Sequence, residues 1–275
     1  MTTSPIRIGV YVDSVNIAMN GGRGMRYDVL REFACRDGGE AMRLNAYIVH
    51  DSERAREDVE YRHRQLRFEA ALGDYGYKAI RKEVRWFQDE QGGRVGKANA
   101  DLDLAVDALL QSAKLDRILL VTGDGDFVRV VRAIQNLGCR VEVLAFRNVS
   151  GELRREADMY VSGYVVPGLL PCGDGDVSTP WGEVGSRVRG YCYAHHEGYG
   201  FLRVMKSATG RLWITDTRRD DSPFVSVFFH DSQLPQDVSY RQLPSRNIVF
   251  EFTLAPSEGD REGLQAVDMS TAGGE

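Results

Sequence analysis

The chain has 275 residues, 43% of them hydrophobic and 27% charged, which is typical of a soluble globular protein with one large domain or two ordinary ones. Its formal net charge of −5 excludes a general attraction to nucleic acid, so any such binding must come from local patches. No segment resembles a membrane helix or a signal peptide, and the four cysteines are scattered without zinc spacing. We therefore expect a cytoplasmic protein with reduced thiols and no membrane partner.

Short apolar runs alternate with helical patterns through residue 166, and this alternation predicts a doubly wound parallel sheet. The first strand covers Ile6 to Val12 and ends at Asp13, and a central strand begins at Ile118. The other predicted strands are 42–49, 77–86, 138–146 and 159–166, and the predicted helices include 27–34, a long charged helix at 52–72, 98–113 and 150–158.

The central strand runs directly into Gly-Asp-Gly-Asp, which contains Asp124 and Asp126. Ligands of such sheets bind beyond the carboxyl ends of the strands, where both carboxylates would lie. Two close carboxylates repel each other unless a cation separates them, and Mg²⁺ or Mn²⁺ suits oxygen ligands. The alternative is that one aspartate caps the following helix while the other is solvated.

A third acidic position lies at the start of the helix that precedes the central strand. Asp101 is near the amino end of this helix, where the helix dipole favours a carboxylate for structural reasons alone. The alternative hypothesis is that Asp101 points into the same cleft as Asp13 and Asp124.

Beyond residue 166 the composition changes. Residues 167–180 are rich in Gly, Pro, Asp and Ser, which indicates a linker. The remainder contains short apolar or aromatic runs separated by turns, and about five such strands predict a small β-barrel. The runs are 188–193, 199–204, 212–215, 225–229, 247–254 and 265–269.

Two of these runs carry aromatic residues at alternate positions. The period of a strand places Tyr199 and Phe201 on one face of the first, and Phe228 and His230 on one face of the second. Such a platform stacks unpaired bases in OB-type barrels. The alternative is that these aromatic side chains form the core of the barrel.

The motifs of the first 166 residues occur in a recognisable order, and together they resemble the NYN domain, a branch of the PIN-like nucleases. The resemblance implies a PIN-like sheet whose acidic residues Asp13, Asp101, Asp124 and Asp126 bind Mg²⁺ or Mn²⁺ for catalysis, with Asn16 as the polar catalytic residue beside them. The motifs are Asp13-Ser-Val-Asn16, Lys97 to Asp107, Thr122-Gly-Asp-Gly-Asp-Phe127 and Leu153 to Tyr160.

Phosphatases of the haloacid dehalogenase type are a competing interpretation, because they also combine an aspartate after the first strand with a Gly-Asp-Gly motif. They need a second aspartate two residues after the first, and Val15 stands at that position. The nuclease interpretation is therefore favoured.

The run Glu197-Gly-Tyr-Gly-Phe-Leu202 and the run Val227-Phe-Phe-His230 resemble the two nucleic-acid-binding motifs of cold-shock domains. This resemblance covers about residues 182–269. It implies that Tyr199, Phe201, Phe228 and His230 bind nucleic acid. Glu197 departs from the pattern, because a basic residue usually precedes Gly-Tyr-Gly-Phe.

We therefore predict a nuclease domain at residues 1–167, a linker at 168–180 and an OB/cold-shock-like barrel at 181–275. The expected function is metal-dependent hydrolysis of single-stranded RNA, which the barrel holds. The alternatives are a catalytically inactive RNA-binding adaptor whose acidic cluster binds metal, and a barrel that docks a protein partner. Homo-oligomerisation is left open.

Overall fold

The computed structural model describes residues 4–88, 93–98, 100–173, 179–257 and 263–273. The chain divides into two compact units, one formed by Met1–Arg23 with Tyr27–Val161, the other by Gly24–Arg26 with Ser162–Glu275. Among the described residues, no helix combines the length and the apolar character needed to cross a membrane.

The first unit is a layered α/β structure. Its strands are β1 (Ile6–Asp13), β2 (Gly39–His50), β3 (Lys78–Glu83), β4 (Arg85–Gln88), β5 (Arg94–Lys97), β6 (Arg117–Val121), β7 (Arg140–Ala145) and β8 (Met159–Ser162). Its helices are α1 (Ser14–Met19), α2 (Tyr27–Ala34), α3 (Ser52–Glu57), α4 (Val59–Asp74), α5 (Ala100–Ser112), α6 (Val128–Asn136) and α7 (Gly151–Glu156).

Six strands form one sheet in the order β3-β2-β1-β6-β7-β8, and the pairs on both sides of β1 are parallel. The predicted doubly wound parallel sheet is thus confirmed. The chain steps outward from β1 to β3 and then crosses to β6 on the other side of β1. The carboxyl ends of β1 and β6 therefore flank the point where the strand order reverses, which is where such sheets bind ligands.

The two central strands of this sheet are covered on both faces, as their apolar sequences require. All five residues of β6 are buried, and so are the last six residues of β1. Helices α5 and α6 contribute to the same core through residues at helical spacing, including Leu104, Ala108, Val131 and Ile134.

The structure corrects three predicted elements of this unit. The strand predicted at 159–166 ends at Ser162 and is followed by the 3₁₀ turn Gly163–Val165. The helix predicted at 52–72 is divided, because Asp58 has an extended backbone and its carboxylate accepts a hydrogen bond from the Tyr61 N–H at 2.8 Å. The strand predicted at 77–86 ends at Glu83, and β4 and β5 form a separate antiparallel pair. The sequence also predicts a Gly-rich turn at 89–96, of which 89–92 lie outside the described residues and 94–96 belong to β5.

The second unit is a closed five-stranded barrel, as predicted. Its strands are β9 (Arg187–His196), β10 (Tyr199–Met205), β11 (Phe224–His230), β12 (Ser245–Pro256) and β13 (Leu264–Thr271). They follow the order β10-β11-β13-β12-β9, and only β11 and β13 pair in parallel. This arrangement is consistent with an OB-like domain.

One predicted strand of the barrel was wrong. Residues 212–215 lie in the loop between β10 and β11, where Leu212 and Ile214 are buried while Trp213 is 68% exposed. The alternating pattern therefore comes from two buried loop side chains, Leu212 and Ile214, on either side of the exposed Trp213.

Close contacts between strands require glycine at two positions of the barrel. A Cβ on Gly200 would lie 2.5 Å from the Phe229 ring, and a Cβ on Gly190 would lie 2.6 Å from the carbonyl oxygen of Arg203. The interior is filled by large residues, among them Leu202, Phe229, Phe250 and Phe252.

The buried Arg189 and its partner Glu251 hold the segment before the barrel against the barrel wall. Arg189 donates to the carbonyl oxygens of Leu170 and Pro171, at 3.2 and 2.6 Å. Glu251 accepts from Arg189 at 2.7 Å and from the Gly173 N–H at 2.9 Å. The first half of the segment expected to be a linker is therefore fixed to the second unit.

Candidate metal site and nucleic-acid surface

Asp13 is buried at the carboxyl end of β1, with only 4% of its surface exposed. It caps α1, because one carboxylate oxygen accepts a hydrogen bond from the Asn16 N–H at 3.0 Å. The other oxygen accepts a hydrogen bond from the Thr122 hydroxyl at 3.2 Å. The side chain is thus held by α1, which follows β1, and by the residue that follows β6.

The loop after β6 is held by the same residues. The Asn16 side-chain oxygen accepts a hydrogen bond from the Gly123 N–H at 3.0 Å, and the Thr122 hydroxyl accepts one from the Asp124 N–H at 3.3 Å. Asn16 therefore positions the turn that carries Asp124, and its side-chain NH₂ group remains available as a donor.

Asp124 also caps the short 3₁₀ turn Gly125–Phe127, since its carboxylate accepts a hydrogen bond from the Asp126 N–H at 2.9 Å. The capping role considered as an alternative in the sequence is therefore real. It does not bury the side chain, because Asp124 is half-buried and Asp126 is exposed. Both carboxylates remain accessible to a ligand.

The structure brings the acidic residues into one electrostatic neighbourhood. Burial raises the pKa of Asp13, and the negative charge of Asp124 raises it further. The pKa of Asp101 is raised first by partial loss of hydration and then by the negative charges of Asp13, Asp124 and Asp126. Asp101 is exposed, but the charges of the other three aspartates act on its pKa, and we call Asp13, Asp101, Asp124 and Asp126 the acidic cluster.

The donor set of the acidic cluster consists of hard oxygen atoms, which fits Mg²⁺ or Mn²⁺. A divalent ion would also relieve the mutual repulsion that, after burial, contributes to the raised pKa values of Asp13 and Asp101. Within the part of the chain that the structure describes, however, no three His, Cys, Asp or Glu side chains are arranged closely enough to hold a metal ion. The side chains would have to converge further on binding.

Neighbouring acidic residues on α5 have structural partners instead. Asp103 pairs with Lys82 at 2.8 Å, and Asp107 accepts a hydrogen bond from the Tyr47 hydroxyl at 2.8 Å. Sequence reasoning missed Thr122, which connects Asp13 with Asp124. Its signal was a hydroxyl residue at the strand end immediately before Gly-Asp.

On the barrel, β10 and β11 carry the predicted aromatic residues on their outer face. Tyr199 is 37% exposed, His230 is exposed, and Phe201 and Phe228 are half-buried, whereas Leu202 and Phe229 between them are buried. The ring centroids of Tyr199, Phe201 and Phe228 lie 5.9 to 6.0 Å apart. We call Tyr199, Phe201, Phe228 and His230 the aromatic platform.

A groove of about 1050 Å³ lies along the aromatic platform. All four platform residues line it, and Gln233 and Gln265 contribute amide groups. Two aromatic neighbours were missed in the sequence. His196 lies against Tyr199, with ring centroids 5.1 Å apart, and the Tyr193 hydroxyl lies 2.8 Å from Ser226 Oγ.

Comparisons with known proteins cover the first unit. Low amplitude and bright protein LabA of Synechococcus elongatus is 27% identical over 168 residues, which are 58% of this chain and 86% of that protein. A crystal structure of a protein of unknown function from Vibrio parahaemolyticus is similar with a TM-score of 0.48 and 25% identity, over 59% of this chain and 96% of that one.

The family model described as NYN domain matches residues 7–166, a stretch that includes the whole acidic cluster. It ends before the barrel strands begin at Arg187. Because this match covers more than half of the sequence, the chain belongs to the NYN domain family, which is nuclease-like.

Proposed function

We propose that the protein is a metal-dependent ribonuclease that hydrolyses phosphodiester bonds of single-stranded RNA, and that its barrel holds the RNA. The observation that carries this proposal is the placement of Asp13, Asp124 and Asp126 at the carboxyl ends of β1 and β6. Asp101, in the first turn of α5, lies near enough for their charges to raise its pKa. Family membership supports it, because this family is nuclease-like.

The acidic cluster provides the residues that such a reaction needs. A bound divalent ion supplies a nucleophilic hydroxide at neutral pH and stabilises charge on the phosphate. Asp13 and Asp124 would be its primary ligands, and Asp101 and Asp126 would bind it directly or through water. Asn16 would donate from its side-chain NH₂ group to a water or a phosphate oxygen, because its oxygen is already bound to the Gly123 N–H.

The barrel supports the choice of a single strand. Strands β10 and β11 occupy the positions of the second and third strands of an OB-fold, whose face binds oligonucleotides. Unpaired bases would stack on the aromatic platform, whose rings are exposed to the groove. Tethering this surface to the acidic cluster raises the local concentration of RNA there.

The test is incubation of end-labelled single-stranded RNA with Mn²⁺ and the full-length chain, comparing wild type with Asp124→Asn. A matched control is Asp116→Asn, because Asp116 lies at the opposite end of β6 and pairs with Arg7 at 2.9 Å. We expect cleavage by the wild type and the control, and none by Asp124→Asn. RNA affinity of that variant should be unchanged or higher, since one negative charge is removed.

An RNA-binding adaptor is the second candidate. The observation that favours it is the aromatic platform along the groove, which suits RNA binding whether or not the acidic cluster turns over a substrate. RNA binding by the wild type without turnover in Mn²⁺ would select the adaptor. If the wild type neither binds nor cleaves RNA, the alternative of a barrel that docks a protein partner is selected.

A further inference from the structure

The outer face of β10 continues beyond the aromatic platform to Arg203. Alternation along a strand places Arg203 on the same face as Tyr199 and Phe201. The guanidinium carbon of Arg203 lies 4.6 Å from the ring centroid of Tyr193 and 5.8 Å from that of Tyr191. These neighbours leave Arg203 only 8% exposed.

Arg203 is a nearly buried cation without an anionic partner among the described residues. Its hydrogen bond is from Nη1 to the Tyr191 hydroxyl at 3.3 Å, and its buried Nε–H has no hydrogen-bond partner there. The other arginines of this barrel that are largely buried differ, because Arg187 and Arg189 both bind the Glu251 carboxylate. A buried charge of this kind is costly unless an anion compensates it.

Further cations lie beside the same tyrosines. Arg246 is exposed, and its guanidinium carbon is 5.9 Å from the Tyr191 ring centroid. The pKa of Arg218 is raised first by its hydrogen bond to Asp216 and also by Tyr193, which places it within electrostatic range of that hydroxyl. Arg218 pairs with Asp216 at 2.9 Å, whereas neither Arg203 nor Arg246 forms an ion pair with a carboxylate among the described residues.

The groove beside the aromatic platform has the opposite character. Its lining contains no lysine or arginine among the described residues, and it includes the carboxylate of Glu197. Uncharged groups and rings suit bases, whereas phosphates require cations. The surface therefore separates a region suited to bases from a cationic region farther along β10.

We propose that Arg203 and Arg246 form a phosphate-binding site for the backbone of a single strand whose bases stack on the aromatic platform. This inference rests on the proposed binding of single-stranded RNA by the barrel. A phosphate beside the guanidinium supplies the negative charge that Arg203 lacks among the described residues. The cation–π contacts with Tyr191 and Tyr193 keep the guanidinium of Arg203 in place.

The test is the salt dependence of binding to oligouridine of about eight nucleotides, a length within the range of one OB-fold site. Each lost phosphate contact should reduce the slope of log K against log salt by about 0.7 for a single strand. We expect this reduction for Arg203→Gln and for Arg246→Gln. The charge-matched control is Arg219→Gln, because Arg219 is paired with Asp221 at 2.7 Å, and its slope should equal that of the wild type.

Because Arg203 is nearly buried, Arg203→Gln could unfold the barrel. Arg246 is exposed, so Arg246→Gln tests the same site in a folded protein. Wild-type slopes for Arg246→Gln and for folded Arg203→Gln would overturn the inference. An equal loss of slope in Arg219→Gln would also overturn it, since the effect would then be general electrostatics.

Failure of the underlying function has a different signature. If the wild type does not bind oligouridine, both the RNA-binding proposal and this inference fail. If Phe201→Ala weakens binding while the arginine variants keep the wild-type slope, the platform stands and the phosphate site alone is wrong.

Discussion

At the scale of single residues, Thr122 connects the two aspartates expected to be primary metal ligands. Its hydroxyl is fully buried, donates to Asp13 and accepts from the Asp124 N–H. One hydroxyl therefore fixes the relative positions of groups that are far apart in the sequence.

We predict that Thr122→Val lowers the free energy of unfolding by about 1–3 kcal/mol, because it leaves two polar groups without their partner. Thr122→Ser is the control, since it keeps the hydroxyl. Urea unfolding of both variants measures the difference. Equal stability of Thr122→Val and the wild type would show that the hydroxyl contributes little.

Phe201 is the residue that best separates base stacking from a role in the core. It is half-buried on the outer face of β10, whereas its neighbour Leu202 is fully buried. We predict that Phe201→Ala weakens binding to single-stranded RNA by about 1–3 kcal/mol.

The melting temperature of Phe201→Ala should change little, because outward-facing rings contribute less to the core. Tyr240→Ala is the control, as Tyr240 is 53% exposed and does not line the groove. Affinity is measured by titration and folding by a melting curve. A large loss of stability with unchanged affinity would place Phe201 in the core instead.

At the scale of elements, β9 and β12 are joined by a buried ionic group. Glu251 of β12 binds Arg187 and Arg189 of β9, at 3.0 and 2.7 Å. Burial acts to raise the pKa of Glu251, but the charge of Arg189 and the hydrogen bonds from the two arginines and Gly173 outweigh it. The pKa is therefore lowered below its usual 4.5.

A lowered pKa means that the unfolded chain binds more protons than the native chain at acidic pH. This contribution to stability is fully present above pH 4.5 and is lost as the pH falls through the lower native pKa. We predict that the barrel loses stability as the pH falls below 4.5, and that the stability of the Glu251→Gln variant depends less on pH.

The fluorescence of Trp181, whose indole N–H donates to the Met205 carbonyl at 2.8 Å, follows unfolding of the barrel. Glu197→Gln is the control because Glu197 is exposed. If Glu251→Gln and the wild type lose stability in parallel below pH 4.5, other carboxylates are responsible.

At the scale of the whole molecule, the two compact units carry different chemistry. The acidic cluster lies in the unit that contains the parallel sheet, and the aromatic platform lies in the unit that contains the barrel. Any ligand that binds only the native form of one unit stabilises that unit by mass action.

We predict that Mn²⁺ and oligouridine each stabilise a different unit in melting experiments. Mn²⁺ should stabilise the first unit by about 2.7 kcal/mol at a hundredfold excess over its Kd, and oligouridine should do the same for the barrel. Asp124→Asn should abolish only the Mn²⁺ effect, and Phe201→Ala should weaken only the oligouridine effect. Stabilisation of the barrel by Mn²⁺ in Asp124→Asn would contradict this assignment.

The order of apolar runs determined much of the fold. Alternating strands and helices predicted the parallel sheet, and α2 has the predicted bounds of 27–34. The approximate positions of the five barrel strands were also readable, because strand period and turn residues are local properties. The helix at 52–72 was less predictable, since its division at Asp58 depends on a single capping hydrogen bond.

The sequence by itself determined which residues can perform chemistry: the acidic side chains at strand and helix ends, and the aromatic residues at alternate positions of two strands. Only the tertiary structure decided which of them meet. Parallel pairing of β1 with β6 brings Asp13 to Thr122 and Asp124 across more than a hundred residues, while Asp103 turns to Lys82 and Asp107 to Tyr47. Likewise, the pairing of β9 with β10 and with β12 brings Arg203 and Arg246 beside Tyr191, and no described carboxylate forms an ion pair with Arg203.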